Sequence, residues 1–182
     1  MINKMFKLGF IVGRFQLFHK GHEELVKIGK SLCEKFVVIV GSTNESRTIK
    51  NPFTFEERKE MIQTVCGEDT IVLPIVDIGI GYVPEWGNYL INTIKANVGE
   101  EPDFAIRGAE FGREKWLPKE KNISEFIFDR SKIKISATQC RRDLINGNTE
   151  NLSNKYSILQ FNEYCKILKE IEKKNPYKFN ND

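Results

Sequence analysis

The chain has two histidines, and they stand three residues apart, His19 and His22, in the stretch GFIVGRFQLFHKGH at residues 9–22. An apolar run from Leu8 to Val12 leads into Gly13, and Glu23 to Lys30 has helical spacing with Leu25, Val26 and Ile28 as its apolar side. The segment therefore reads strand, glycine turn, helix start. At a helix start, residues i and i+3 share a face. The first backbone N–H groups have no partner inside the helix there, and the dipole is positive. Two imidazoles added to that end make a site suited to phosphate oxygens. The same rings could instead be ordinary surface histidines, or half of a zinc site. Zinc takes four ligands, usually Cys, His or carboxylate. The nearest cysteine is Cys33 and there is no further histidine, so no protein metal site is expected.

A second place of this kind is Ile135-Ser136-Ala137-Thr138-Gln139-Cys140-Arg141. Ser136 and Thr138 stand where capping hydroxyls belong, ahead of a helix from about Thr138 to Asn146 that Gly147 stops. Capping alone accounts for the hydroxyls. Arg141, three residues beyond Thr138, projects on the same face as the cap, so a guanidinium joins the hydroxyls and free N–H groups. Arg142 points about 100° away around the helix, which makes Arg141 the expected anion ligand and Arg142 solvent-facing or auxiliary.

These two stretches carry a resemblance. GRFQLFHKGH resembles the signature of the nucleotidylyltransferase superfamily, whose members have His-x-Gly-His after the first strand, and residues 135–141 resemble its second motif, Ile-Ser-x-Thr-x-x-Arg. The chain departs from the family at Leu17, where proline is usual and would stiffen the turn. Within the superfamily, Gly41-Ser42, Ser46-Arg47-Thr48, Asn51-Pro52-Phe53-Thr54 and Glu57-Arg58 resemble the corresponding region of nicotinamide mononucleotide (NMN) adenylyltransferases. The resemblance implies His19, His22 and Arg141 as catalytic groups. It implies Gly13, Arg14, Phe15, Gly21, Ile135, Ser136 and Thr138 around ATP, and Gln16, Arg47 and Trp86 around the mononucleotide. A tryptophan is by default a core residue; in those enzymes one in a place comparable to Trp86 lies beside the nicotinamide ring. Arg107 replaces a serine-like residue of some members. The implied reaction moves AMP from ATP to NMN, or its nicotinate analogue, with Mg²⁺ riding on the triphosphate. The resemblance runs from about Leu8 to Gly147 and is weakest over Val98 to Asn122.

The rest of the chain must position these groups. Strands are expected at Phe36–Val40, Thr70–Val76, Asp103–Arg107 and Glu125–Asp129, with Pro74 marking a strand end or a sheet edge. Thr54-Phe55-Glu56-Glu57 is a capping box opening a helix through Arg58, Met61, Ile62 and Val65. Pro84 opens another, to about Asn97. The loop Gly108 to Gly112 follows the fourth strand at the sheet edge shared by the earlier turns, and Arg130 to Lys134 joins the fifth strand to the second motif. A last helix is expected at about 156–174, with Ile158, Phe161, Cys165, Leu168 and Ile171 on its apolar face, packed on the domain or on a second copy to make a homo-oligomer, and a frayed tail from Pro176.

The fold expected is α/β, a Rossmann-like parallel sheet of about five strands with helices on both faces, in a single domain over 1–182. Hydrophobic residues make up 40% of the 182, enough for a real core, and the net charge of +3 is too small and dispersed to point to nucleic acid. Four cysteines without Cys-x-x-Cys spacing suit a reducing cytoplasm. The first apolar run is too short to span a membrane and reads as a strand. There is no Gly-x-Gly-x-x-Gly and no Walker loop, which argues against a dehydrogenase or a P-loop kinase. The alternatives are an adenylyl- or cytidylyltransferase for another phosphate ester such as phosphopantetheine or glycerol phosphate, a nucleotide-binding sensor without chemistry, and a fragment of a tRNA synthetase.

Overall fold

The computed structural model describes residues 4–81, 83–109, 116–129, 135–148 and 161–174. Five strands form one parallel sheet: β1 (Phe6–Gly13), β2 (Cys33–Val40), β3 (Ile71–Pro74), β4 (Phe104–Gly108) and β5 (Ser124–Phe128), in the order β3-β2-β1-β4-β5. The order reverses direction between β1 and β4. In open α/β sheets that switch leaves a crevice at the carboxyl ends of the strands. The turn after β1 and the end of β4 therefore flank the place where a ligand is expected.

The central strands β1, β2 and β4 carry continuous buried runs because both their faces are covered there, whereas the edge strand β5 is largely exposed. Ile11, Val38, Val40 and Ile106 face one way, with α1 (Lys20–Leu32), α2 (Phe55–Cys66), α4 (Ala137–Ile145) and α5 (Phe161–Lys174) packed on them through Val26, Met61, Leu144 and Leu168. Leu8, Phe10, Val37, Ile39 and Ala105 face the other way, against α3 (Pro84–Val98) and against Trp116 and Leu117. The period of two puts alternate residues of each strand into different cores.

Most element edges shift by one to three residues from the sequence reading. The first strand begins at Phe6, and α1 takes in the HKGH tetrad from Lys20 instead of starting at Glu23. Pro74 closes the edge strand β3 opposite Val40, as its missing N–H requires. Pro84 stands in the first turn of α3, which Gly99 ends in the left-handed conformation. A single 3-10 turn at Lys119–Lys121, not anticipated, precedes β5. The C-terminal helix lies on the domain: Tyr164, Leu168 and Ile171 are buried, and Tyr164 meets Phe53 edge-on at 5.3 Å. The expected loop residues Glu110 to Gly112 and Arg130 to Lys134, the helix residues 156–160 with Ile158, and the tail from Pro176 lie outside the described residues. Among the described residues no helix is long and apolar enough to cross a membrane.

Candidate active site

The tetrad builds the N-terminus of α1 out of its own histidines. His19 is the N-cap, and its Nδ1 accepts the backbone N–H of His22 at 3.3 Å; the Nδ1 of His22 accepts the backbone N–H of His19 at 3.4 Å. This is a capping box in which imidazoles stand where Ser/Thr and Glu/Gln usually do. The two rings stack with centroids 3.6 Å apart. An Nδ1 that accepts an N–H carries no proton itself, so each neutral ring holds its proton on Nε2. His19 is buried, and Gly21 behind it is buried too.

The turn before the tetrad is strained and over-determined. Phe15 has φ 48°, a left-handed conformation that costs a non-glycine residue about 1–2 kcal/mol. Its ring is buried and meets His22 edge-on at 4.9 Å, while Phe18 lies 5.5 Å from the same imidazole. Gly13 makes room for that ring, since a Cβ there would lie 3.0 Å from it. Strain of this kind persists where the surroundings hold it, and it collects at functional sites.

The second motif reaches into that turn. Ser136 is the N-cap of α4 and accepts the N–H of Gln139 at 3.1 Å. Thr138 is not a cap: it lies inside the first turn, and its hydroxyl accepts from Arg141 Nη2 at 3.4 Å. Arg141 is buried, and its Nη1 donates to the backbone carbonyl of Gln16. The two expected anion sites thus touch across 125 residues of sequence. Arg142 is not solvent-facing; it is half-buried, and its Nε is enclosed with no hydrogen-bond partner among the described residues.

The residues expected around a mononucleotide are spread out. The Gln16 amide is held at both ends by Phe53, donating to its carbonyl at 3.2 Å and accepting its N–H at 2.9 Å, so it staples two turns together. Arg47 makes a two-pronged ion pair with Glu57, at 2.8 and 2.6 Å, and donates to the Pro52 carbonyl. Its guanidinium braces the capping box of α2, in which Thr54 and Glu57 exchange bonds as expected. Trp86 is half-buried at the start of α3 and packs edge-on against Trp116, 5.1 Å away. Gly87 beside it is a point of close approach, because a Cβ there would lie 1.9 Å from the Trp116 carbonyl oxygen. Arg14 is exposed, Ile135 half-buried and Ser136 exposed. Arg107, at the end of β4, is ion-paired to Glu125.

Arg58, which the sequence places in α2 and in the Glu57-Arg58 part of the resemblance, has no role assigned there. It is fully buried, and it donates from Nε to the Thr54 carbonyl, from Nη1 to those of Arg14 and Gly41, and from Nη2 to that of Ser42. Burial, and then the charge of Arg14, pull its pKa down to about 10. A signal was present: Arg58 falls in line with Met61, Ile62 and Val65, on the stripe that faces the core.

Imidazole, amide N–H and guanidinium groups make a donor set that fits phosphate oxygens. A profile of the cytidylyltransferase-like family matches residues 10–143. The nicotinamide-nucleotide adenylyltransferase of Pyrococcus horikoshii is 30% identical over 172 residues, covering 91% of this chain and 86% of that protein. The enzyme of the same name from Thermococcus kodakarensis is 29% identical over 150 residues, 79% of this chain and 75% of the other. In fold, the chain resembles the crystal structure of a bifunctional NMN adenylyltransferase/ADP ribose pyrophosphatase from Francisella tularensis complexed with AMP and a manganese ion, with a TM-score of 0.75 at 22% identity over 95% of this chain. It spans about half, 54%, of that larger protein. With a profile matched over most of its length, this chain belongs to the cytidylyltransferase-like family of nucleotidyltransferases.

Proposed function

We propose that this chain transfers the adenylyl group of ATP to NMN or its nicotinate analogue, giving NAD or its deamido form and pyrophosphate. The observation that carries this is the bond from Arg141 to the Gln16 carbonyl, which brings the helix N-termini of both motifs to one turn at the switch point. The names of the Pyrococcus and Thermococcus relatives support the choice of acceptor.

In this reading a 5′-phosphate oxygen of the mononucleotide attacks the α-phosphorus of ATP, and the bond from that phosphorus to the bridging oxygen breaks to release pyrophosphate. The nucleophile is already anionic, so no strong base is needed. Catalysis is positioning plus stabilisation of charge on the transferring group. The Nε2–H groups of His19 and His22 donate to phosphate oxygens, the N–H groups of α1 sit behind them, and Arg141 adds a fixed positive charge from α4. Gly13, Arg14, Phe15 and Gly21 shape the ATP side with Ile135, Ser136 and Thr138. Trp86 offers its ring to the nicotinamide. Gln16 and Arg47 serve the mononucleotide indirectly, by holding the turns at Phe53 and Pro52. Mg²⁺, when bound, supplies charge neutralisation on the triphosphate, which brings it in as part of the substrate. The chain acts as one domain in the cytoplasm, with the C-terminal helix part of that domain.

A pyrophosphate-release screen of ATP and CTP against NMN, nicotinate mononucleotide, phosphopantetheine and glycerol phosphate tests this. ATP with one of the two pyridine mononucleotides should be the productive pair. Brisk turnover of phosphopantetheine or glycerol phosphate with no NAD formed would remove the proposed acceptor.

A further inference from the structure

We propose that Arg58 is a positioning residue of the phosphate site, holding the turns after β1 and β2 in the conformation that aims His22 at its ligand. The inference rests on reading the HKGH helix end as a phosphate site.

Arg58 reaches the site only through backbone. Its side chain is 0% exposed, and four hydrogen bonds of 2.7 to 3.4 Å go to carbonyl oxygens on three segments. None of these partners is a carboxylate: every hydrogen bond of the buried cation goes to a peptide carbonyl, and Glu56, Asp77 and Glu57 favour its charge only from a distance. The carbonyls are not arbitrary. That of Arg14 belongs to the peptide leading into Phe15, and that of Gly41 to the peptide leading into Ser42, whose own carbonyl is the next acceptor. Phe15 and Ser42 are the residues at those turns with left-handed backbones, φ 48° and 52°, and neither is glycine. One guanidinium therefore grips both strained turns at the carboxyl edge of the sheet. A bond from the Gly41 N–H to the Gly13 carbonyl, 2.9 Å, joins the same turns from the other side.

The connection to the chemistry is short. Arg58 fixes the peptide before Phe15, and the Phe15 ring lies edge-on to the His22 imidazole. Rotating that peptide moves the ring and frees the imidazole to turn. Only arginine offers a planar fork that serves three carbonyls at once; a lysine ammonium on the same stem is a single point. A methionine would fill the space and leave the carbonyls of Arg14, Gly41 and Ser42 without this donor.

The test uses the full chain as wild type, Arg58→Met, Arg58→Lys, and Arg58→Met combined with Ser42→Gly. Melting is followed by circular dichroism, inorganic pyrophosphate binding by calorimetry, and NAD formation from ATP and NMN by kinetics, all well below the melting point. Arg58→Met should lower kcat by about 10²-fold, the scale of a small misplacement at a reacting centre, and weaken pyrophosphate binding at least tenfold. Ser42→Gly relieves the strain at the β2 turn only. It should recover part of the lost melting temperature and none of the lost kcat, because the Phe15 turn is still unheld. Arg58→Lys should fall between, and it decides the matter if Arg58→Met does not fold. Wild-type kcat and pyrophosphate affinity in a folded Arg58→Met or Arg58→Lys, or recovery of kcat together with stability on adding Ser42→Gly, would overturn the proposal. If the wild type makes no NAD, the proposed reaction fails by itself, and the pyrophosphate titrations alone judge Arg58.

Discussion

His22 has two jobs in this structure, and substitutions can separate them. As the third residue of α1 it accepts the His19 N–H and completes the capping box; as an imidazole it packs on Phe15 and Phe18 and, in the proposed reaction, donates to a phosphate oxygen. His22→Ala loses everything. A lost capping bond costs about 1 kcal/mol, and the aromatic contacts are worth roughly 0.5–1.5 kcal/mol each. For a chain of this size, ~2–4 °C of melting temperature goes with each kcal/mol, so the fall should be roughly 4–16 °C. His22→Gln keeps the cap, since glutamine is a standard residue at that position of a capping box, and loses only the ring contacts. Its melting temperature should stand a few degrees above that of His22→Ala. Activity should not follow stability. Both variants lack the imidazole donor, and both should lose ~10²–10³ in kcat, as when one preorganised donor is removed from a transition state, with KM for ATP little changed. His19→Asn runs parallel, because asparagine is among the best N-caps. Paired melting curves and initial rates with saturating ATP and NMN decide it. A His22→Gln enzyme that keeps kcat within a few-fold of wild type would mean that the histidine is a cap and that phosphate chemistry runs without it.

Two further outcomes follow from particular contacts. Gly87→Ala places a Cβ 1.9 Å from the Trp116 carbonyl oxygen and 2.9 Å from Pro118 Cδ; overpacking of ~1–3 kcal/mol outweighs the ~1 kcal/mol that alanine adds to the helix, so urea melts should show destabilisation together with a change in tryptophan emission, and an unaltered midpoint and spectrum would mean that residues 116–118 yield freely. In Glu57, burial raises the carboxyl pKa but the Arg47 guanidinium and the Thr54 N–H overcome it, leaving the value below the ordinary 4.5. A carboxyl depressed by folding lends stability that is complete above its unfolded pKa and lost as pH falls through the folded one. The melting-temperature gap between wild type and Glu57→Gln should therefore be widest near neutral pH and close below about pH 4.3; a gap that is flat with pH would show that the ion pair contributes nothing.

The parts of the site legible from sequence are those in which local geometry decides the contact. A histidine pair at i and i+3 on a helix start must lie together, and so must Thr54 with Glu57, or Ser136 with the amide three residues on; the two capping boxes and the α4 cap are where spacing places them. What stayed hidden are contacts between such units. Thr138 has the right chemistry for a cap, but Ser136 holds that position two residues earlier, which frees the Thr138 hydroxyl for Arg141. Arg47 and Gln16 have the chemistry of ligands, yet the fold spends their polar atoms on Glu57, Pro52 and Phe53, partners fixed only when α2 packs beside β1. Arg58 is the instructive case. Its place on an apolar stripe was visible, and a charge on such a stripe needs buried partners. Glu56 and Glu57 of α2 favour its charge from a distance, but none of its hydrogen bonds goes to them. The remaining source of acceptors is backbone that has left the sheet ladder, and in a parallel sheet that means the carboxyl ends of the strands, where the turns carrying His19 and His22 begin. An arginine in a helix's core line, two elements away from a phosphate motif in sequence, is thereby a marker of the sheet edge at which that motif works.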